Sequence, residues 1–562
     1  MTTTTAFQSS TEPTLYALHP HKKVTLYFLM TGLLALLLGA LVGPLQAFNY
    51  AGIDIYKMLP FLKSYYQGLT LHGVLNALVF TTYFITGLLF YLPARELGVR
   101  PNLTVAWGSY FTMTLGVVLA AIAILSNQAS VLYTFYPPLQ GSPLFYIGAA
   151  LLVAPTLVVG LHIVLIWAKW KKDNPGKLTP IVTYMSVATW LMWFVASLGL
   201  VVEVVFMLIP WSLGWVSGVN PLLARTLFWY TGHPIVYFWL LPAYVSWYAL
   251  LPKQAGGKII SEPLARLAFA LFLLISTPVG LHHQFTDPGI PNSWKIIHMF
   301  LTFMVAIPSL LTAFSVGASL EYAARLRGGR GWTSWMQRLP WNQPSFTAQT
   351  LAMVSFIFGG AGGIVNASMA LDAVVHNTAW IPGHFHITVG TATTLTFFGI
   401  SFWLIPNLTG KALASPKMAL WSAWLWFWGM MVFAVGMHWE GLLGIPRRSE
   451  ISAVTGPLAA VYQKASIPMA ITGISGVILL VATILYFWVV FKTLASSKRE
   501  VQEEPIPWSE SLSSGHTSRS MKLLDRLGVL FAFALLLVVL AYGPVIWDMV
   551  SHSVSFPGQQ LW

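Results

Sequence analysis

Thirteen stretches of the chain are apolar over about 20 residues, the length a helix needs to cross a bilayer. They cover 24–46, 68–93, 105–126, 143–168, 180–211, 226–251, 264–285, 296–320, 346–371, 378–405, 418–440, 467–491 and 526–548. Most are apolar on every side, with none of the one-sided pattern of a helix lying on a soluble core. Helices of that kind belong inside a large core or in lipid. Short polar loops rich in Gly and Pro separate them. The N-terminal tail, residues 1–23, is polar and lacks the basic start of a signal peptide. A second polar stretch, 495–520, reads as a surface linker. No short-period repeat interrupts the pattern. The expectation is therefore an all-α integral membrane protein, a bundle of about 13 transmembrane helices. It forms one membrane domain over 1–562: a tail at 1–23, helices 1–12 within 24–491, the linker at 495–520 and helix 13 at 526–548.

Composition sharpens this picture. Of 562 residues, 56% are hydrophobic and 8% are charged, against about 25% charged in soluble domains. Aromatic residues reach 14%, which excludes a disordered chain. The net charge of +13 invites a nucleic-acid reading, but its distribution argues otherwise. With the N-terminus in the cytoplasm and the C-terminus outside, 23 of the 30 Lys and Arg fall in cytoplasmic loops and 7 in outer ones. That asymmetry is the positive-inside pattern, and it also favours an odd number of spans. The tail and the linker then lie inside, and the membrane is the inner, or plasma, membrane of a bacterial or archaeal type of cell. No nucleic acid is expected as a partner. With no Cys, the chain has no disulfide, Fe–S cluster, thiolate metal site or C-x-x-C-H haem attachment.

Histidine inside a span is costly and is a functional candidate by default. His72, His233, His282, His283, His384 and His386 lie in four spans, and the loop orientation puts all six in the outer part of the membrane. A single such His is more often a hydrogen-bonded core residue than a ligand; six at one depth are not. His384 and His386 are two apart, so at about 100° per residue they point to nearly opposite sides of their helix. Each can serve a different large cofactor. His282 and His283 with His233 offer three imidazoles, which suit copper, iron or zinc. A transporter would also bury polar groups at mid-membrane, but it needs no such ring of imidazoles.

The segment from Trp229 to Tyr237, WYTGHPIVY, together with His282-His283 and His384-Phe385-His386, resembles subunit I of the haem-copper oxygen reductases. The resemblance runs over spans two to eleven. It implies that His72 and His386 are the axial ligands of a low-spin haem and His384 that of a high-spin haem. His233, His282 and His283 would hold a copper, and Tyr237 would be joined to His233 and supply an electron and a proton when the O–O bond breaks. Catalysis would fall to Tyr237 and His233. Ile235 stands where many members carry a Glu, and Thr312 where many carry a Lys. Both departures resemble the B family and its ba-type cytochrome c oxidase, which implies a low-spin haem B and an A-type haem at the reactive centre. His376-Asn377 replaces the His-Asp pair of a magnesium site, which weakens the case for that ion.

The resemblance further implies proton uptake along Tyr237, Tyr244 and Tyr248, one stripe of the sixth span, with Ser309 and Thr312 opposite. Ser and Thr also glue membrane helices together, so the stripe alone does not establish a route. Arg447, Arg448, Asp372, His376 and Asn377 lie at the outer side, where Arg suits bidentate carboxylate binding; haem propionates are the implied anions. Glu203 in the fifth span has no partner in the sequence pattern. The implied activity is four-electron reduction of dioxygen to water coupled to proton pumping. A second subunit would carry the dinuclear copper that this Cys-free chain cannot hold, cytochrome c would be the donor, and small single-helix subunits and lipid would be further partners. A nitric oxide reductase would share the six His but lack the linked Tyr, and a quinol oxidase would differ in its partner subunit.

Overall fold

The structure is a computed structural model that describes residues 16, 19–496, 506–513 and 518–560. Most of the expected tail, together with 497–505 and 514–517 of the expected linker, lies outside the described residues. No strand is present among the described residues, only isolated bridges such as Thr378 with Pro446. In lipid an unpaired backbone amide has no water to turn to, so the chain satisfies its amides within helices.

Eleven helices are long and apolar enough to span. They are α1 (His21–Tyr50), α2 (Tyr65–Glu96), α3 (Leu103–Leu125), α4 (Pro143–Asp173) and α5 (Ile181–Ser212) in the first half of the chain. In the second half they are α9 (Asn292–Leu326), α10 (Pro344–Ala367), α11 (Trp380–Thr409), α12 (Pro416–Leu442), α13 (Ser466–Ala495) and α14 (Leu527–Ser551). The expected sixth and seventh spans are not single helices. The sixth is α6 (Pro221–Gly232) followed by α7 (Pro234–Ala249), with the fault at His233. Pro234 has no N–H, so one ladder bond is missing there. The seventh is α8 (Glu262–Ile275), which stops ten residues before the expected end and is followed by a 3-10 turn at Gly280–Gln284. Pro278 lies between them and blocks continuation. The faults sit at His233 and next to His282-His283.

Helix starts follow local chemistry. Asn102 Oδ1 accepts from the Thr104 and Val105 amides, and Asn220 Oδ1 accepts from Leu222 and Leu223 with Pro221 in the first turn. Both are N-caps of the preferred type. Gly410 ends α11 at φ 65°, a left-handed turn that costs Gly little. The first helix starts at His21, inside the expected tail. Lys22 is accordingly buried, and its Nζ donates to the Asn407 carbonyl at 2.8 Å.

Packing is close where glycine permits it. α3 lies along α4, and α12 along α13. A Cβ on Gly116 would stand 2.6 Å from the Gly148 carbonyl oxygen, and one on Gly148 would stand 2.6 Å from that of Gly116. Small residues at such crossings let two backbones touch. Outward-facing residues are large and apolar, among them Phe111, Leu161, Phe206, Phe314, Ile357 and Ile474.

One end of the bundle is fastened by buried ions. Arg266 is 1% exposed, and it donates to Glu262 at 2.6 Å, to Asp525 at 3.3 Å and to the Thr179 carbonyl at 2.5 Å. Lys171 reaches Asp525 at 2.6 Å. These bonds tie α4, α5 and α8 to the entry of α14. The described part of the linker lies against the loop after α7, where Ser509 N–H donates to the Ala249 carbonyl and Ile259 N–H to that of Glu510.

Gly116→Val is expected to force α3 and α4 apart, costing about 1–3 kcal/mol. Gly108→Ala on the same helix meets nothing within 4 Å and should leave stability near the parent value. Thermal unfolding of the two variants in detergent checks the difference.

Candidate metal centre

The six histidines singled out from the sequence, together with Tyr237, line one cavity of about 640 Å³. Its walls are mostly apolar, with Leu, Phe, Trp and glycines, and its polar groups converge at a few points. That is the usual character of a prosthetic-group site.

The first point is the pair His72 and His386. Their ring centroids are 6.2 Å apart with planes 15° from parallel. Two imidazole nitrogens at about 2 Å from a metal would need roughly this separation between rings. His72 Nδ1 donates to the Gly39 carbonyl at 2.8 Å, and His386 Nδ1 donates to that of Pro382 at 2.7 Å. With Nδ1 protonated, each Nε2 keeps its lone pair for a ligand. α2 and α11 change to π-helical turns just beyond these residues, at Val74–Phe80 and Thr388–Thr393, as often happens at functional sites.

His384 faces another part of the cavity. A Cβ on Gly362 would stand 2.8 Å from its Nδ1, and Gly359, Gly360 and Gly363 continue the same glycine wall of α10. The missing side chains at Gly362 and Gly363 let the α10 backbone come close to the His384 ring. The two-residue offset thus separates the histidines as expected.

The third point is a cluster of three. His233, His282 and His283 bring one nitrogen each to within 4.8 Å of the others. Ring centroids are 4.5 Å apart for His233 and His282, and 4.1 Å for His282 and His283. His282 Nδ1 donates to the Val279 carbonyl and also meets the Thr302 hydroxyl at 3.1 Å. His283 stacks on Trp229 at 3.9 Å. His233 Nε2 and His283 Nε2 are buried with no hydrogen-bond partner. Buried polar atoms are nearly always paired, so these orphans mark a missing electrophile. An all-imidazole donor set with no carboxylate fits copper. The Tyr237 ring lies 4.8 Å from that of His233, one helical turn away.

Above the histidines is a cluster of cations. Arg447 and Arg448 line the cavity, as do Asp372 and His376. Asp372 Oδ2 is 2.7 Å from His376 Nδ1. Asn377 is not in the wall; its Oδ1 accepts from Arg447 Nη2 at 2.8 Å and orients that guanidinium. Arg448 Nη1 donates to the Tyr136 hydroxyl at 3.1 Å, and Arg225, which pairs with Asp287 at 2.9 Å, sits 4.9 Å from the Tyr136 ring centroid. Burial alone would push the Tyr136 phenol up; Arg448, Arg225 and Arg447 outweigh it and hold the phenol down at about 8. Burial, with Arg448 beside it, lowers Arg447 to about 10. The pocket therefore carries uncompensated positive charge, which fits carboxylate groups entering from the cavity.

Below the cluster, Tyr244 lies beside Ser309, and Tyr248 beside Thr312 and Ser315. The Tyr244 hydroxyl faces that of Ser309, and the Tyr248 hydroxyl faces those of Thr312 and Ser315. Ser309 and Thr312 donate back to the carbonyls of Val305 and Pro308 on their own helix. Glu203 is fully buried in the π-helical turn of α5, with both oxygens unpartnered.

Sequence reasoning passed over His298, Thr302, Tyr136 and Tyr133, whose ring centroid lies 5.8 Å from the Arg448 guanidinium. His298 offered the same signal as the chosen six, a His at outer depth in a span. The tyrosines lie in a loop, where no periodicity points to them.

Over residues 23–478 the chain matches the family model for cytochrome c and quinol oxidase polypeptide I. Cytochrome c oxidase subunit 1 of Thermus thermophilus is 55% identical to it, across 99% of this chain and 100% of that protein. A putative cytochrome c oxidase subunit 1-beta of Streptomyces avermitilis is 26% identical over 88% of this chain and 85% of its own length. The fold superposes on a heme-copper terminal oxidase dimer seen by cryo-EM with a TM-score of 0.92 and 38% identity, covering 97% of this chain and 95% of that one. Matches of this extent leave one assignment for so histidine-rich a cavity: the chain belongs to the cytochrome c and quinol oxidase polypeptide I family and is the catalytic subunit of a haem-copper oxygen reductase.

Proposed function

We propose that His72 and His386 would hold a low-spin haem, His384 a high-spin haem, and His233, His282 and His283 a copper. The observation that carries this reading is the three-point division of one cavity. A ring pair stands 6.2 Å apart, a lone His faces a glycine wall, and a cluster of three imidazoles has two orphaned nitrogens. The groups held by these residues would supply dioxygen binding and electron delivery. The residues do the rest. Tyr237, against His233, supplies a proton and an electron as the O–O bond breaks. Arg447 and Arg448 neutralise haem propionates, Asn377 aims Arg447, and the Asp372–His376 pair lies beside them.

Protons reach the centre through Tyr248, Tyr244 and Tyr237, helped by Ser309 and Thr312. The Ser309 hydroxyl beside Tyr244, and those of Thr312 and Ser315 beside Tyr248, support this route. The turnover takes four electrons and four protons per dioxygen, gives two waters and is coupled to outward pumping. Ile235 and Thr312 support a B-family enzyme with a haem B at the low-spin site and an A-type haem at the other. The reading keeps thirteen membrane crossings, counting α6 with α7 and α8 with its 3-10 turn as one each. The N-terminus is inside the plasma membrane and the C-terminus outside. Electrons come from cytochrome c through a second subunit bearing the dinuclear copper.

His386→Ala or His72→Ala should abolish the low-spin haem spectrum and spare copper, whereas His384→Ala should abolish the high-spin spectrum. Optical spectra and metal analysis of purified variants check this. Loss of only the low-spin signal in His384→Ala would reverse the assignment.

Thr312→Val keeps the volume and removes the hydroxyl. It should slow turnover roughly tenfold or more with both haem spectra intact, as should Tyr248→Phe, and Tyr237→Phe should be the most damaging of the three. Flash-initiated proton uptake in each variant is the measurement. Unchanged uptake in both Thr312→Val and Tyr248→Phe would remove the route.

A further inference from the structure

The segment bearing His282 and His283 is not helical in the ordinary sense. After α8 ends at Ile275 the chain turns through Pro278 and enters a short 3-10 turn. Its first amides cannot be satisfied within α8, and no water lies in a membrane core to take them. Two side chains from elsewhere do so. The Gly280 N–H donates to the Tyr542 hydroxyl at 2.6 Å. The Leu281 N–H donates to His298 Nδ1 at 3.4 Å.

Both partners are themselves fixed. Tyr542 is 1% exposed and lies on α14, packed on Tyr230 with centroids 4.8 Å apart. His298 is fully buried on α9, and its ring meets that of Tyr542 edge-on at 4.9 Å. Because its Nδ1 accepts from Leu281, its proton is on Nε2, which donates to the Ala541 carbonyl of α14 at 3.2 Å. Pro544 interrupts the ladder of α14 in that turn. From the other side, Thr302 donates to the His298 carbonyl at 2.6 Å and meets His282 Nδ1. Gly280 itself has no room for a side chain, since a Cβ would collide with the Trp229 carbonyl and the Tyr542 hydroxyl.

We infer that Tyr542 and His298 are positioning residues for the copper ligands, and that the C-terminal helix α14 braces the His282-His283 turn through them. Neither touches the metal cluster. Each holds an amide one or two residues before a ligand, and so sets the direction in which the two imidazoles leave the backbone. Partners of this kind typically change metal affinity 10- to 100-fold when removed.

The inference rests on the copper reading given above, so the test begins with the copper content of the parent enzyme. Absence of copper there would sink that reading, separately from the inference. In the assembled enzyme, Tyr542→Phe deletes one oxygen and keeps the ring. It should speed copper release to a chelator at least about tenfold and speed hydrogen exchange at Gly280 and Leu281, with both haem spectra intact. His298→Phe should act in the same direction. His298→Gln, which again offers an acceptor and a donor, should recover most of the retention. Val538→Ala, on α14 one turn before Tyr542, trims packing without touching the bonds and should leave copper release unchanged.

If His298→Phe fails to assemble, Tyr542→Phe alone decides. Parent-like copper release in Tyr542→Phe overturns the inference. Equal loosening by Val538→Ala also overturns it, because general packing of α14 would then be the cause.

Discussion

Everything at the centre of this molecule depends on where a single proton sits on each imidazole. A histidine can offer a lone pair to a metal only from the nitrogen that carries no hydrogen. Burial in a water-free bundle means that the other nitrogen must find an acceptor in the protein. For three of the six, backbone carbonyls provide it: Gly39 for His72, Pro382 for His386 and Val279 for His282. A carbonyl only accepts, so it leaves one tautomer possible. The same low dielectric that makes an unpaired group expensive also makes this choice firm.

Gly39 and Pro382 offer their carbonyls from α-helical turns and Val279 from just before a 3-10 turn, and the backbone departs from the α-helix next to the ligands themselves. Apart from the π-helical turn at Val202–Leu208 in α5, the departures lie beside the histidines. A π-helical turn follows His72 and another follows His386, Pro234 faults the sixth span at His233, and a 3-10 turn carries His282 and His283. The unbroken parts do different work. α3 against α4 is held by glycine contact, and buried ions around Arg266 secure the end near Asp525. Regular helices supply rigidity, and their interruptions supply aim.

This division explains what could be read in the chain. The all-helical membrane architecture was legible because apolar length is written directly in composition. The six histidines were legible because charge asymmetry put them at one depth, and the offset of His384 from His386 follows from helical geometry alone. The interruption of the seventh span was not, since hydropathy continues through Pro278 while the hydrogen-bond ladder does not. The start at His21 was missed for a related reason: Lys22 looks like a loop cation, and only the fold supplies the Asn407 carbonyl that lets it be buried. Asn377 was expected near a propionate because the loop orientation puts it at the outer side; the bond its Oδ1 accepts from Arg447 could not be read from that position. Contacts between residues far apart in sequence, such as Tyr542 with Gly280, leave no local trace at all.

The two-residue spacing on α11 has a mechanical side. His384 and His386 are about 3 Å apart along the helix axis, with only Phe385 between them. A rotation of α11 about its axis that moved one imidazole toward its side of the cavity would carry the other away from its own. The helix therefore works as a lever with a load on each flank, and neither site can be adjusted by moving it. Independent adjustment is left to what each ring leans on: the Pro382 carbonyl and His72 for His386, and the glycine wall of α10 for His384. Variation that retunes one centre without detuning the other is thus confined to those few surroundings, while the lever itself is held to its length and pitch.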